Sequence, residues 1–278
     1  EPLFILSLGG QPAEIGFVYA LSPLGGLLMF PIAGYLADHT SRARLIAFTD
    51  YFISLVILLY IFAQSWHWIA LGRLLWGFAV LKHPASSAIV ADSLSPESRG
   101  RGIATMTTIS GTFAILAPYM AGVMLDAYGV DFGMRVLYAM MAAAYALGAT
   151  INLLFIQATT RPETGDVEIS RLSVTFKNSY TEIPAMLGRF PRTLKALTVI
   201  IILGYMANGV ASPFWVVYAK DQIGLSSAQW GLVLVIESFF LRLVCHVGFF
   251  PATNDILRDE DRVLCLTFFP SGIFFESQ

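Results

Sequence analysis

Leu27-Leu28-Met29-Phe30-Pro31-Ile32-Ala33-Gly34-Tyr35-Leu36-Ala37-Asp38-His39-Thr40-Ser41-Arg42-Ala43-Arg44-Leu45-Ile46 holds the end of one apolar run, a short charged connection and the start of the next. The same alternation extends along the chain in both directions. Apolar runs cover about 13–37, 45–63, 68–91, 103–125, 134–156, 194–218 and 230–250. A helix needs about 20 residues to cross a hydrocarbon core of about 30 Å, so these runs predict seven complete spans of an all-α membrane protein. Composition agrees: 56% of the 278 residues are hydrophobic and 13% are charged, against roughly 25% charged in an ordinary soluble domain. Net charge is -2 and no basic block stands out, which gives nucleic-acid binding no support. Cys245 and Cys265 have no metal or redox spacing, so neither a metal site nor a cofactor is expected.

Cytoplasmic loops near span ends retain Lys and Arg. Alternate connections divide accordingly, with Arg42, Arg44, Arg99, Arg101, Arg161, Arg171, Lys177, Arg189, Arg192 and Lys195 on one side and only Arg135 and Lys220 on the other. The first side is expected to be cytoplasmic, with Trp66, Trp68 and Trp230 at the opposite interface. The long polar connection 158–193 reads as a cytoplasmic linker between an N-terminal bundle, 1–157, and an incomplete C-terminal bundle, 194–278. Within it 180–190 suits a short interfacial helix limited by Pro184 and Pro191, or plain solvated chain. Residues 8–18 line up with 223–233, with Gly9, Ala13, Gly16 and Val18 matching Gly224, Ala228, Gly231 and Val233. Related halves are a mark of secondary transporters.

The connection Gly34 to Arg44 resembles the signature loop between the second and third helices of the major facilitator superfamily. Gly34, Asp38, Arg42 and Arg44 match it, while His39 stands for a usual Arg or Lys and Ser41 for a usual Gly. Arg73-Leu74-Leu75-Trp76-Gly77 resembles that family's motif of Arg, three residues and Gly in helix 4, and Asp92 through Pro96 to Arg99 and Arg101 its following loop. The resemblance implies two six-helix bundles rocking around a central cavity. Here it would cover the end of helix 1 to about helix 8, with helices 2–6 in 1–157. It also implies that Asp38, Arg42 and Asp92 form a conformational latch. The residues themselves allow either a charge-assisted network or separate hydrated charges that only mark topology.

Charged groups inside spans are costly, about 2.5 to 3.5 kcal/mol at the centre on insertion scales. Arg73 shares a face with Gly77 and is the favoured pathway residue; Lys82, nine residues on, falls on the opposite face of a straight helix unless Pro84 distorts it, and is expected to snorkel or pair locally. Asp50 is expected near the cytoplasmic interface. Asn208, Glu237 and Arg242 are further candidates for substrate contact or coupling, with Trp215 beside them; helix packing is the competing account of each. His246 reads as interfacial. Gly111, Pro118, Ala121 and Gly122 partly resemble the Gly-Pro-rich motif of the family's drug-proton antiporters, with Ala117 and Ala121 where Gly is usual; close packing explains small residues equally well.

The chain opens at Glu1 without an initiator Met, with Leu3 to Leu8 as the tail of an apolar segment, and so reads as a fragment. After the last run, Asp255 and Arg258 only poorly repeat the signature loop, and 263–275 is short and broken by Pro270. The expected function is a monomeric, multi-pass transporter of the plasma membrane, in contact with lipid, that moves a small solute by alternating access, with proton coupling an open option. A seven-span receptor and an inactive remnant are the alternatives. An embedded enzyme lacks a clustered His, Asp or Cys constellation.

Overall fold

The computed structural model describes residues 1–95, 98–156, 176, 180–183 and 186–248, the side chains of 241–248 excepted. Among these residues all regular structure is helical. Six helices among the described residues are long and apolar enough to span a membrane: α2 (Pro12–His39), α3 (Arg42–Ile61), the broken helix Trp66–Ser93, α6 (Arg99–Tyr128), α7 (Val130–Phe155) and α8 (Arg192–Asp221). The short α1 (Pro2–Ser7) precedes them and α9 (Ser227–Gly248), the seventh expected span, follows. In α9 the stretch Ser227–Phe240 is apolar. Of the interhelical connection, 180–183 and 186–189 are helical, the first of the two readings offered for 180–190; most of 158–193, and the tail from 249 onward, lie outside the described residues.

By their contacts the helices form two compact units, Glu1–Pro96 with Met134–Ile200 and Glu97–Gly133 with Ile201–Gln278. In the first, α3 is the buried element, presenting Ile46, Thr49, Ile53, Val56, Ile57 and Tyr60 to its neighbours. α7 packs on it along a face of Met134, Tyr138, Ala142 and Ala149. Two polar contacts join this pair, Tyr51 with Thr150 at 2.8 Å and the Ser54 hydroxyl donating to the Ala142 carbonyl at 2.8 Å. Arg135 does not stand in a loop: it lies in the second turn of α7 and donates to the carbonyls of Ile61 and Ala63 at the end of α3. A cation there satisfies orphan carbonyls at a helix C-terminus.

The span Trp66–Ser93 is interrupted: α4 (Trp66–Trp76) runs into a 3-10 segment, Gly77–Leu81, and then into α5 (Lys82–Ser93). Pro84 has no N–H to give the Val80 carbonyl, and its ring would crowd that oxygen in an α-helix. A tighter winding before a proline relieves this. α2 crosses at the interruption. A methyl group on Gly25 would overlap the Leu74 carbonyl oxygen, and one on Gly77 would overlap the Gly25–Gly26 backbone. The two spans therefore touch backbone to backbone. Large side chains on α2, α6, α7 and α8, among them Phe30, Phe113, Phe155 and Val210, face outward, which is the pattern lipid requires.

The two aligned segments share their local conformation. Gly9 (φ 85°) and Gly224 (φ 77°) are both left-handed, where a glycine carries little strain. In each, the side chain three residues into the next helix reaches back to its N-cap: Glu14 accepts from the Gln11 N–H at 2.6 Å and Gln229 from the Ser226 N–H at 2.9 Å. Ser226 completes the capping box by accepting from the Gln229 N–H at 3.2 Å.

Candidate functional site

The connection between α2 and α3 is a two-residue turn. Thr40 is extended (φ -124°, ψ 164°) and Ser41 sits at φ -63°, ψ 114°. Ser41 occupies a place where the resembling motif has Gly, yet its backbone lies in the ordinary extended region, so no strain follows. His39 stacks on Tyr35 with ring centroids 4.1 Å apart and its Nδ1 lies 2.9 Å from the Tyr35 carbonyl oxygen.

Arg42, at the first turn of α3, donates through Nη1 to Asp92 Oδ2 at 2.6 Å, joining the start of α3 to the end of α5. Asp38 is exposed on the last turn of α2 and pairs with no described residue; Arg44 is exposed as well. Two of the three expected network members are thus brought together. Gly34 lies inside α2 with open space where a side chain would stand, and Arg99 opens α6 in the other unit. Pro96 lies outside the described residues. The Asp92 side chain keeps 45% of its exposure, and exposed pairs contribute about 0.2–1 kcal/mol. Asp92→Asn is therefore expected to lower stability by less than about 1 kcal/mol, read from thermal unfolding in detergent; a larger loss would reveal a tighter network.

Arg73 is deeply placed, 8% exposed. Its Nε donates to Glu1 Oε1 at 2.6 Å and Nη2 donates to Oε2, a two-pronged pair, and the guanidinium lies 4.5 Å from the centroid of the Tyr19 ring. The fork geometry suits a carboxylate, and the aromatic face adds attraction for the cation. Tyr138 lies beside this cluster, edge-on to Phe4 at 5.7 Å and tilted against Tyr60 at 5.0 Å. Reading the sequence singled out Arg73 but missed Glu1 and Tyr19. The available signal was a carboxylate next to an apolar run, which in a span demands a partner.

Lys82 donates to Asp50 Oδ1 at 2.8 Å and lies 5.0 Å from the Tyr145 ring centroid. It pairs locally, one of the two expectations for it. Asp50 is buried, 7% exposed, rather than hydrated at an interface. The 3-10 segment winds about 120° per residue instead of 100°, so Arg73 and Lys82 are not diametrically opposed; the distortion lies before Pro84, over Gly77–Leu81. Lys82→Met strands the Asp50 carboxylate and is expected to lose about 1–3 kcal/mol. Adding Asp50→Leu should recover most of it, because an apolar replacement of a buried pair is often neutral. A double-mutant cycle of unfolding in detergent checks both; no recovery in the double variant would refute the pairing.

In the second unit, Asn208 is half-buried on α8, Trp215 on the same helix is exposed, and Glu237 is half-buried on α9. Arg242 and His246 lie in the α9 backbone, with side chains outside the described set. Gly122 and Pro118 of α6 pack against α9: a methyl on Gly122 would overlap the Ser227 carbonyl, and one on Gly231 the Pro118 carbonyl. Close packing is what these small residues provide.

Long apolar helices carrying ion pairs between spans define a polytopic helical membrane protein. A sequence model of the Major Facilitator Superfamily matches residues 2–251, and the chain belongs to that superfamily. Among similar proteins, multidrug resistance protein MdtG of Enterobacter lignolyticus is 27% identical over 80% of this chain and 51% of its own length. The multi-drug resistance efflux pump PmrA homolog of Lactococcus lactis is 25% identical over 86% of this chain and 59% of its own. PmrA of Streptococcus pneumoniae is 24% identical over 99% of this chain and 66% of its own. The chain thus spans about half to two thirds of the length of these relatives.

Proposed function

We propose that the whole protein is a secondary active transporter that moves a small solute across the plasma membrane by alternating access, with multidrug efflux as the substrate class. Family membership and the names of the relatives support the class, and favour it over a receptor. The observation that carries the reading is the Glu1–Arg73 pair beneath Tyr19: a paired carboxylate and guanidinium sunk between spans is expensive unless it works. Proton coupling is part of this reading, and the imposed pH gradient below tests it. The ends bearing Arg42, Arg44, Arg99 and Arg101 face the cytoplasm, together with the connection 158–193, and the working form is a monomer. Asp38, Arg42 and Asp92 serve as a cytoplasmic latch, with Asp38 left for a partner made in another state. Asn208, Glu237 and Arg242 are retained as pathway candidates in the second half.

The test is transport of a lipophilic cationic dye by the full-length protein in proteoliposomes bearing an imposed pH gradient. Arg73→Met is expected to abolish gradient-driven movement, and Asp38→Asn to slow it several-fold. Undiminished transport in both variants would overturn these roles.

A further inference from the structure

Asp126, in the last turn of α6, accepts from the backbone N–H groups of Ser227 at 2.9 Å and Ala228 at 2.8 Å, one carboxylate oxygen to each. These are the first two N–H groups of α9, orphan donors that point out of the helix. An ionised carboxylate is suited to them by charge as well as by geometry. α9 already has its own N-cap, because Ser226 and Gln229 form a reciprocal capping box. Asp126 therefore adds an attachment that α9 does not need to begin its helix.

The attachment lies at one end of a seam with no side chains to cushion it. Gly122, one turn before Asp126, meets the Ser227 backbone, and further along Gly231 meets the Pro118 and Tyr119 backbone. Such contact is favourable only while the helices stay in register, so it is lost steeply as they part. By the alignment of 8–18 with 223–233 and the conformations those segments share, α9 is the counterpart of α2 and falls in the second repeat, whereas α6 precedes that repeat in the chain and packs against α9 within one compact unit. A bond between α6 and α9 at this end then holds together elements that alternating access must separate.

We propose that Asp126 is a positioning residue that clasps the N-terminus of α9 and holds the Asp126 end of α6 against it. The proposal rests on the alternating-access reading above. Opening on the Asp126 side requires both N–H bonds to break.

Spin labels on Tyr128→Cys and Ile223→Cys, both exposed beside the clasp, report its opening by pulsed electron-spin distance measurement. The full-length protein is used with Cys245 and Cys265 replaced by Ser. Asp126→Asn is expected to raise the long-distance population relative to the short one by about threefold to tenfold, the scale of a charge-assisted contact near a surface. Ser227→Pro gives an independent arm. It removes one of the two donors yet suits the first turn of a helix, and Pro12 occupies the aligned position at the start of α2. It should shift the distribution in the same direction, with α9 still folded. Asp126→Glu should restore part of the short population. Unchanged distances in Asp126→Asn and Ser227→Pro would overturn the clasp, even with dye transport intact. A shift in both, with no gradient-driven transport by the unsubstituted protein, would keep the clasp and discard the transport reading.

Discussion

Replacing Arg73 by Met is expected to destabilise the protein by about 3–5 kcal/mol, the loss typical of removing one member of a buried ion pair. Both side chains are enclosed, 10% and 11% exposed, and both prongs of the guanidinium are used on Glu1. Removing the cation takes both prongs of this pair away from a carboxylate that is 11% exposed. Arg73→Lys should recover little, because an ammonium cannot supply the parallel donors of the fork. The double variant Glu1→Leu, Arg73→Met should regain most of the stability and none of the gradient-driven transport. That contrast separates an ion pair kept for function from one kept for folding, and is read from unfolding in detergent beside dye transport. A double variant that transported normally would show the pair to be dispensable.

Gly25→Val is expected to cost about 3 kcal/mol or more, at the upper end of overpacking effects. The new side chain would meet the Leu74 carbonyl oxygen and approach Gly77 Cα, so backbone stands in its way and no rotamer change relieves it. α2 must move off the interrupted span, and the 3-10 segment Gly77–Leu81 loses the surface that supports it. Gly34→Ala supplies the control. Nothing stands within 4 Å of the position a methyl would take there, and Ala favours a helix over Gly by about 1 kcal/mol. Stability should hold or rise. Thermal unfolding of the two variants in one detergent decides the matter, and equal losses would refute the close approach of α2 to α4.

These magnitudes assign separate tasks to the charged groups. Arg42 is half-buried and Asp92 exposed, so their pair is weak enough to be made and broken at little expense, as the proposed latch requires. Arg73 with Glu1, and Lys82 with Asp50, are enclosed and strong. They fix how their spans pair in the first unit, and a change of partner in either would be a large event.

The membrane class, the span positions and the family were legible in the sequence alone. Apolar run length is set by bilayer thickness, and backbone groups in lipid leave helices as the only local solution for such runs. The expected spans at 13–37 and 45–63 became Pro12–His39 and Arg42–Ile61 for this reason. The shared start of the two aligned segments was legible too, because a left-handed glycine and a reaching side chain at N3 are local features. Pairings were not. That Arg73 meets Glu1 across 72 residues, Lys82 meets Asp50 across 32 and Asp126 reaches α9 across 101 depends on which helices lie side by side. Spacing along one helix carries no information about its neighbour. Even the rotation between Arg73 and Lys82 changed once Gly77–Leu81 wound as a 3-10 segment under α2. The sequence by itself determined that these segments cross a membrane as helices, since that follows from solvent and chain. Only the tertiary structure decided which charge answers which, since in a uniform apolar solvent the partners of a buried charge are chosen by packing.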